Sequence, residues 1–584
     1  MVDFETARSL AIDGISTTNT VEKVTISNKP KSGLTKTTEL LKISVEVPVN
    51  EKIRCFDLLV DLKSDFPLSL PKIMLSEEDY ESVKYIPHVE SNRNICLFDH
   101  ENIKMDADKP VGILKASLNQ AVKIIADGLN KNRSAEFKDE LVAYWCESYH
   151  PKDVIVGGFL GKGADSFTSG RVNLYNLEPS YDRINIFLAP ENQASESVIN
   201  FLKLRGHKIE TDEAFYLGEL TAIEPPFYFD NKNLLTFVKD NFPQTYAAAK
   251  SYINQTIDAK TLVFSISFDH EKLFFGFYIY PFKKKIKGWR QQSVSAVQIM
   301  TSIEPNNPVT RLSFREFSEE RLRKRTDGRE FSSTPYKFML AGLGSIGSNL
   351  LHYLSALDVS DYMLIDPDRM QLENVNRHLL SFNDVGRNKV DAIARYLTYN
   401  NPFLNIETFF TSVVDVIKNQ THLMNEMDVI FCAIGKDVIE NYILQCLSTG
   451  IIKKPVVFLW VEPYLMGAHV LYINPGTFLS LRDLETDNFY DYNIISKSSY
   501  NDPTIQLKLR EAGCQGSYMP YGKEAITYFL TILMPEIYKL IKKPSADNLA
   551  FTFTGNLDEA STLGLTLSEF ASSLHSHQLI KNTI

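Results

Sequence analysis

The segment KFMLAGLGSIGSNLLHYL, residues 337–354, joins a short apolar run to a helical pattern through a glycine turn. Residues 337–341 predict a buried strand, and residues 346–357 have the 3.6-residue periodicity of a helix. Three glycines stand at G-x-G-x-x-G spacing: Gly342, Gly344 and Gly347. Such a turn lets backbone N–H groups and a helix dipole hold phosphate groups, so the spacing predicts a nucleotide-binding turn.

Polar side chains follow the next predicted strand, residues 362–365. That strand ends in Asp366, which is placed to bind ribose hydroxyls as in dinucleotide folds. Five more polar residues follow closely: Asp368, Asn374, Asn376, Arg377 and Lys389. A nicotinamide dehydrogenase has no use for this set. An enzyme that handles a triphosphate needs a carboxylate for metal and basic side chains for phosphate charge, so the set favours ATP chemistry.

The segments IDPDRMQLENVNRHLL and GRNKVDA carry a family resemblance over roughly residues 330–480. They resemble the adenylation motif of ubiquitin-activating enzymes and their ThiF/MoeB-like bacterial relatives, which reads D-x-D, then S-N-L-N-R-Q, then a lysine. The resemblance implies an α/β doubly wound adenylation domain that uses ATP and Mg²⁺. It implies that Asp366 holds the ribose and that Asp368 helps bind magnesium. Phosphate contacts are implied for Asn374, Arg377 and Lys389.

The same resemblance implies two further parts of the ATP site. An arginine from the basic segment before the first strand reaches into the site, often that of a neighbouring subunit, and the candidates are Arg321, Arg323 and Arg325. After a later strand the family has D-x-T-D, with its last aspartate on magnesium. This chain departs from that pattern, and Asp437 is the candidate through a small insertion. Because adenylation domains of the family pair, a homodimer is expected.

Residues 1–150 predict an α+β unit with a first helix, four strand-like runs, a proline-rich turn and two closing helices. This order resembles the ubiquitin-conjugating fold, and PHVESNRNICL resembles that family's H-P-N…G-x-I-C-L segment. The resemblance implies that Cys96 is the acyl acceptor, a role that needs a thiolate. It aligns His88 with the asparagine that steadies the oxyanion. A histidine could donate a similar hydrogen bond or act as a base, or could be a turn residue only.

Residues 151–320 predict a mixed α/β connecting domain without a catalytic set, and its clustered glycines at 157–158 and 161–163 predict a surface loop. Residues 321–584 form the predicted adenylation domain. There, a polar crossover at about 478–513 ends in EAGCQGSYMPYG, ahead of a helix starting near Gly522. The resemblance implies that Cys514 on this crossover is the activating nucleophile. A strand over residues 406–414 and a last helix near residues 566–575 are also predicted.

The length and composition of the chain limit its number of domains, its partners and its location. A chain of 584 residues is too long for one core, so several domains are expected. The net charge of −10 argues against nucleic acid as a partner. The chain shows no signal peptide and no apolar run of membrane-spanning length, so a cytoplasmic protein without a membrane partner is expected. Its six cysteines form no C-x-x-C pair, so no structural zinc is expected.

The order conjugating-like, connector, activating-like resembles the bacterial fusion proteins of CBASS anti-phage operons. The resemblance implies adenylation of a protein C-terminus, a thioester on Cys514, transfer to Cys96 and ligation to a target lysine. In that family the carboxylate donor is a cGAS-like nucleotidyltransferase. Two alternatives stay open. One is a sulfur-carrier adenylyltransferase that uses only the activating half, and the other is a non-catalytic scaffold that presents a partner protein.

Overall fold

The computed structural model describes residues 3–28, 36–83, 86–90, 92–98, 104–130, 141–146, 154–181, 184–223, 227–268, 271–282, 294–322, 335–510 and 517–584. The chain divides into two compact units. The first comprises residues 1–195 and 206–317, and the second comprises residues 196–205 and 318–584. The domain boundaries at residues 150 and 320 stay predictions.

The N-terminal part of the first unit is an antiparallel meander. Its four strands pair in chain order: Val21–Asn28, Lys36–Val49, Lys52–Asp61 and Lys72–Leu75. The helices Phe4–Ser16 and Pro110–Leu129 share one apolar core with this sheet. The short helix Glu77–Val83 contributes Val83 to the same core, whereas the helix Leu141–Trp145 packs in the core of the barrel described next. The predicted first helix and four strands are present, while residues 131–140, where the second closing helix was predicted to begin, lie outside the described residues.

Seven strands of the first unit close into a barrel, which was not predicted from the sequence. In spatial order they are Glu271–Ile279, Thr310–Phe317, Ile155–Gly161, Ile184–Leu188, Gly170–Tyr181, Lys208–Leu220 and Lys260–Phe268. Helical segments of the same unit are Asn231–Asn241, Tyr246–Asn254 and Ala296–Gln298, the last continuing as a π-helical turn, Ile299–Ile303.

The loop predicted at the clustered glycines is wrong for Gly157, Gly158 and Gly161, because these residues lie in a barrel strand. A Cβ atom at Gly158 would lie 2.7 Å from the ring of Phe314, and one at Gly161 would lie 2.6 Å from the Cβ of Ala189. The glycines therefore allow close packing of neighbouring strands, a role that glycine can serve in strands as well as in loops.

An eight-stranded sheet forms the centre of the second unit. Its order is Asn405–Phe409, Val359–Ile365, Tyr336–Ala341, Val429–Cys432, Val456–Val461, Gly467–Ile473, Leu549–Thr554 and Leu579–Thr583. The first five strands are parallel, and the remaining pairings are antiparallel. In chain order the parallel strands run 3-2-1-4-5, so the order reverses at Tyr336–Ala341. Ligands bind outside the carboxyl ends of the strands at such a switch point.

Helices cover both faces of this sheet, as expected for a doubly wound domain. One face shares a core with Ser345–Leu354, Lys389–Asn400 and Lys523–Lys542. The opposite face shares a core with Val413–Met424 and Asp437–Ser448. Residues 196–204 of the helix Gln193–Leu204 also belong to this unit. Among the described helices, none is both long enough and apolar enough to cross a membrane.

Two element predictions in this unit are wrong. The strand predicted over residues 406–414 ends at Phe409, because Ser412 caps a new helix by accepting the Val414 backbone N–H at 3.3 Å. The predicted last helix is only a 3₁₀ turn, Phe570–Ser573, and an edge strand follows it. The pairing of that strand with Leu549–Thr554 is a tertiary contact that local patterns do not report.

Short elements make up the crossover that precedes the helix Lys523–Lys542. They are the 3₁₀ turn Leu481–Leu484, the paired strands Glu485–Thr486 and Phe489–Tyr490, the helix Lys497–Asn501, and the paired strands Leu509–Arg510 and Ser517–Tyr518. The predicted helix start is confirmed, because Gly522 is the N-cap of Lys523–Lys542.

Candidate active site

A cavity of about 1160 Å³ lies at the carboxyl ends of the parallel strands in the second unit. Six residues predicted from the sequence line it: Gly344, Asp368, Asn374, Arg377, Lys389 and Asp437. Gly342, Gly347 and Asp366 contact residues of the lining, whereas Asn376 and Arg321 are not among the lining residues. The fold therefore gathers residues that are almost a hundred positions apart in the chain.

The glycine turn forms one wall of the cavity. Gly342 has a φ of 88°, and a Cβ atom there would lie 2.6 Å from the carbonyl oxygen of Ala433. A Cβ at Gly347 would lie 2.0 Å from the carbonyl oxygen of Gly342, whereas one at Gly344 would meet no atom within 4 Å. Gly344 is the N-cap of the helix Ser345–Leu354. The N-terminus of that helix therefore faces the cavity, where it favours an anionic group.

Asp366 ties the glycine turn to the next strand. Its carboxylate accepts the backbone N–H groups of Leu343 at 2.6 Å and of Asp368 at 2.8 Å. Burial raises the pKa of Asp366, and the nearby Lys389 ammonium group opposes that rise. Lys389 Nζ lies 3.1 Å from Asp368 Oδ2 and 4.0 Å from Asp366 Oδ1. Because the Lys389 side chain is only 9% exposed, its charge acts on these groups with little solvent screening.

Asn374 and Arg377 belong to the 3₁₀ helix Leu372–Arg377. The Asn374 side-chain oxygen accepts the Gln371 backbone N–H at 3.2 Å and so caps this turn. The Arg377 guanidinium lies 5.5 Å from the centre of the Tyr521 ring and donates to the Met519 carbonyl oxygen at 3.4 Å. Arg377 therefore contacts the end of the crossover as well as the cavity.

The end of the crossover is attached to the nucleotide-binding turn by further contacts. The Tyr521 hydroxyl is 2.8 Å from Ser345 Oγ, and Lys523 Nζ donates to the His378 carbonyl oxygen at 3.0 Å. Residues 511–516, which include Cys514, lie outside the described residues, as do the candidates Arg323 and Arg325. The strands on either side of residues 511–516, Leu509–Arg510 and Ser517–Tyr518, pair with each other.

His378 was not foreseen as a site residue, although it follows Arg377 directly in the motif. It is buried, and burial lowers its pKa to about 4, so the ring is neutral near pH 7. Its Nε2 lies 2.7 Å from the Leu343 carbonyl oxygen, and its Nδ1 accepts the Leu380 backbone N–H at 3.1 Å. The neutral ring therefore donates to Leu343, whose peptide N–H is already bound to Asp366. These two contacts fix the glycine turn from both sides.

Two carboxylates beside the glycine turn suit a magnesium ion. Asp368 and Asp437 both line the cavity, and Asp437 is the first residue of the helix Asp437–Ser448. Mg²⁺ is commonly held by one or two carboxylates together with phosphate oxygens and water. In the described part of the chain, no group of three or more His, Cys, Asp or Glu side chains is arranged to hold a metal ion. The donor set therefore suits a metal that arrives with a phosphate ligand.

Glu440 also lines the cavity, one helical turn after Asp437, and was not foreseen. Its carboxylate accepts the Gly435 backbone N–H at 2.9 Å. It is 2% exposed, and burial raises its pKa from 4.5 to about 7. The i, i+3 spacing from Asp437 was a usable sequence signal for this residue.

We expect Glu440→Gln to be more stable than the wild type at pH 8 and equally stable near pH 4. The wild-type carboxyl group ionises at a lower pH in the unfolded chain than in the folded one, so folding stability falls as pH rises from 4.5 through about 7. That difference in pKa corresponds to about 3 kcal/mol in the free energy of unfolding above pH 8. Urea unfolding of the ligand-free protein at both pH values measures this free energy. The same difference in free energy between the variant and the wild type at both pH values would contradict the prediction.

Glu462 is a third unforeseen residue, directly after the strand Val456–Val461. It is buried, and its carboxylate accepts the backbone N–H groups of Ile494 at 2.7 Å and Ile495 at 2.8 Å. His469 Nε2 lies 2.9 Å from the same carboxylate. Glu462 thus attaches the crossover to the sheet. Its position after a parallel strand, like that of Asp366, was the available signal.

The first unit holds a separate candidate site around Cys96, which is exposed. Residues 86–89 form a turn in which the Val89 backbone N–H bonds to the Ile86 carbonyl oxygen at 3.3 Å. Pro87 is its second residue, and His88, with a φ of 63°, is its third, which is the pattern of a type II turn. The Cys96 backbone N–H bonds to the His88 carbonyl oxygen at 2.8 Å. The structure therefore brings His88 and Cys96 together.

Two family models match the chain, one in each unit. The model described as prokaryotic E2 family B matches residues 25–154, and the model described as ThiF family matches residues 329–459. The first match covers the meander and Cys96, and the second covers the glycine turn and the polar residues that follow it. The predicted fold class is confirmed: a ubiquitin-conjugating-like α+β fold, a connector and a doubly wound ThiF-like domain.

Curated relatives match over short stretches. Ubiquitin-like modifier-activating enzyme 5 of Drosophila willistoni is 29% identical over 139 residues, covering 22% of this chain and 32% of that protein. ATP-dependent ubiquitin transferase-like protein Cap2 of Enterobacter hormaechei is 28% identical over 127 residues, covering 21% of this chain and 19% of that protein. A solved structure of Escherichia coli MccB with ATP aligns over 42% of this chain and 63% of that chain, at 15% identity and a TM-score of 0.27.

The matched stretches span less than a third of each curated relative's own length, as the values of 32% and 19% show. The two family matches nevertheless agree with the two sites described above. The chain thus carries, on one polypeptide, a region that matches the prokaryotic E2 family B model and a region that matches the ThiF family model.

Proposed function

We propose that the protein uses ATP to activate the C-terminal carboxylate of another protein and conjugates it to a lysine. The observation that carries this proposal is that one cavity is lined by the N-terminus of the helix Ser345–Leu354 and by Asp368, Arg377 and Lys389. Those groups match the needs of a triphosphate: N–H donors and positive charge for phosphate oxygens, and a carboxylate for metal. The two matched families also support ATP binding and a ubiquitin-like conjugation chemistry.

In the first step, a carboxylate oxygen of the donor protein attacks the α-phosphorus of ATP, and pyrophosphate leaves. The helix N-terminus and the side chains of Arg377 and Lys389 stabilise the charge that develops on the phosphates. Asp368 and Asp437 would hold Mg²⁺, which supplies further charge neutralisation. The cavity of about 1160 Å³ exceeds the usual size of small-molecule sites, so it has room for both a nucleotide and a peptide tail.

In the second step, the Cys514 thiolate attacks the acyl carbonyl of the adenylate, a C–S bond forms and AMP leaves. The hydrogen bonds of Tyr521 to Ser345 and of Lys523 to the His378 carbonyl oxygen hold the end of the crossover at the cavity and support this role. Cys514 precedes Met519 by five residues, which span at most about 17 Å. Because Met519 lines the cavity, a thiol at that sequence separation is within reach of it.

In the third step, the Cys96 thiolate attacks the thioester, and the Cys514 thiolate leaves. A lysine amine of the target then attacks the second thioester, loses a proton and forms an amide, and the Cys96 thiol is released. Carrying both cysteines on one chain makes the handover intramolecular, at effective concentrations on the order of millimolar for short flexible linkers. A sulfur-carrier adenylyltransferase would have no use for the conjugating-like region.

We further propose that the donor is a cGAS-like nucleotidyltransferase and that the protein acts in CBASS anti-phage defence. We also propose a homodimer in which one of the arginines at positions 321, 323 and 325 enters a neighbouring ATP site. The resemblance of the domain order supports these proposals, and so does the similarity to a protein named ATP-dependent ubiquitin transferase-like protein Cap2. The arginine contact remains a proposal from the motif alone.

A trapping assay tests the proposed function. The full chain is incubated with ATP, Mg²⁺ and a candidate donor, and adducts are separated on a non-reducing gel alongside an ATP–pyrophosphate exchange assay. The wild type should form a thiol-sensitive adduct. Cys514→Ala should keep the exchange and lose the adduct, whereas Cys446→Ala, which changes a buried cysteine in a helix, should keep both. Exchange without a thiol-sensitive adduct in any variant would favour the sulfur-carrier alternative.

We expect His88→Asn to retain the wild-type rate of acyl transfer from Cys96 to lysine. In His88→Ala, that rate should fall by at least about tenfold. Asparagine tolerates a positive φ and can donate to an oxyanion, whereas alanine does neither. Single-turnover discharge of the Cys96 thioester to free lysine measures the rate. Equal rates for the alanine variant and the wild type would show that His88 is a turn residue only.

A further inference from the structure

The short helix Leu141–Trp145 connects the conjugating-like fold to the barrel within the first unit. Its last two residues both pack in the barrel core, and Tyr144 also bonds to the conjugating-like fold. Tyr144 contacts the segment that leads to Cys96, and Trp145 enters the aromatic core of the barrel. Both side chains are buried.

Trp145 is held firmly by the barrel. Its indole N–H donates to the Leu312 carbonyl oxygen at 2.9 Å. The Arg311 guanidinium lies 5.5 Å from the centre of the Trp145 ring and also donates to the Trp145 carbonyl oxygen, and Arg311 is fully buried. Five phenylalanines surround the indole with ring centres between 5.2 and 6.1 Å away: Phe227, Phe229, Phe264, Phe275 and Phe277. This end of the helix therefore has little freedom to move.

Tyr144 transmits that support to the turn beside Cys96. Its hydroxyl donates to the Ile86 carbonyl oxygen at 3.0 Å, in a buried position. The same carbonyl oxygen closes the turn by accepting the Val89 N–H. His88, the third residue of that turn, has a positive φ, a conformation that a non-glycine residue keeps only when its surroundings hold it there. The Cys96 backbone N–H is bonded to His88.

We infer that the barrel positions the acceptor cysteine: Tyr144 is a positioning residue that holds the turn of residues 86–89, and through it Cys96, against a support anchored by Trp145. This inference rests on the proposed function for its consequence in transfer, since Cys96 must receive an acyl group for its position to matter. The contact itself does not depend on that function. The connector then has a task in the reaction beyond joining two domains.

Hydrogen exchange of the full chain without ligands tests the contact. Tyr144→Phe removes one hydroxyl and keeps the ring, so the fold should be retained. We expect peptides covering residues 86–98 to exchange about fivefold faster, because one buried hydrogen bond no longer opposes local opening. Trp145→Phe should act in the same direction. The matched control is Tyr252→Phe, which removes another tyrosine hydroxyl bonded to a backbone carbonyl, that of Glu213 at 2.6 Å, and should leave residues 86–98 unchanged.

Transfer kinetics test the consequence. In Tyr144→Phe, the rate of acyl transfer to Cys96 at saturating ATP should fall about fivefold, while ATP–pyrophosphate exchange and the KM for ATP stay at wild-type values. A wild-type rate of hydrogen exchange at residues 86–98 in Tyr144→Phe or in Trp145→Phe overturns the inference. Faster hydrogen exchange with an unchanged rate of acyl transfer overturns the positioning role. If the wild type forms no thioester at all, the proposed function fails, and the exchange data still decide whether the barrel supports this turn.

Discussion

Cys96→Ala is expected to stop the acyl group at one thioester and to abolish conjugation to lysine. The sulfur of Cys96 is the atom that accepts the acyl group in the proposed relay, so no other group can replace it. Its side chain is exposed, as an acceptor of a protein-borne thioester must be. On a non-reducing gel, the variant should keep the adduct that forms on Cys514 and lose every lysine-linked product. Adenylation should be unchanged, because the ATP cavity is built from residues of the second unit.

Cys55→Ala is the matched control for this result. Cys55 is also exposed and lies in the meander of the same unit, in the strand Lys52–Asp61. We expect it to conjugate at the wild-type rate, because it lacks the adjoining turn that contains His88. Conjugation by Cys96→Ala at the wild-type rate would falsify the two-cysteine relay and would favour a conjugating-like region that only presents a partner protein.

Lys389→Met is expected to lower ATP–pyrophosphate exchange by about a hundredfold or more. Lys389 places a nearly buried positive charge against the carboxylates of Asp366 and Asp368, and it lines the cavity beside the glycine turn. A positive group acting on phosphate charge in a water-poor site is typically worth two to three orders of magnitude in rate. The loss of this charge also leaves Asp366, whose pKa burial already raises, without its opposing charge.

The matched control for this variant is Lys337→Met. Lys337 also lies 3.8 Å from an aspartate, Asp361, on neighbouring strands of the same sheet, but it is half-exposed and outside the cavity lining. We expect near wild-type exchange from it, because exposed ion pairs contribute little. Circular dichroism of both variants separates a catalytic loss from a loss of folding. Equal exchange rates for the two variants would contradict the proposed role of Lys389.

Residues of the ATP cavity were predictable because their positions follow from local rules. Asp366 ends a parallel strand, and Gly342 and Gly347 are required where a Cβ atom would collide with backbone. Lys389 was predicted from the motif, and the structure places it beside Asp368. His378 was missed because a histidine after Arg377 has no distinctive pattern of its own, and Glu462 was missed although it follows a parallel strand as Asp366 does. Their hydrogen-bond partners, Leu343 and Ile494, can be identified only from the tertiary structure.

The sequence by itself determined two parts of the molecule: a meander that is followed by Cys96, and a glycine turn that opens a doubly wound sheet. Both depend on periodicity and on motifs whose residues are close together in the chain. Only the tertiary structure decided the closure of the barrel and the contacts of Tyr144 and Trp145. Tyr144 bonds to a residue 58 positions away, and Trp145 bonds to one 167 positions away. Burial of apolar side chains brings such residues together from several strands at once, and no local pattern records which strands will meet.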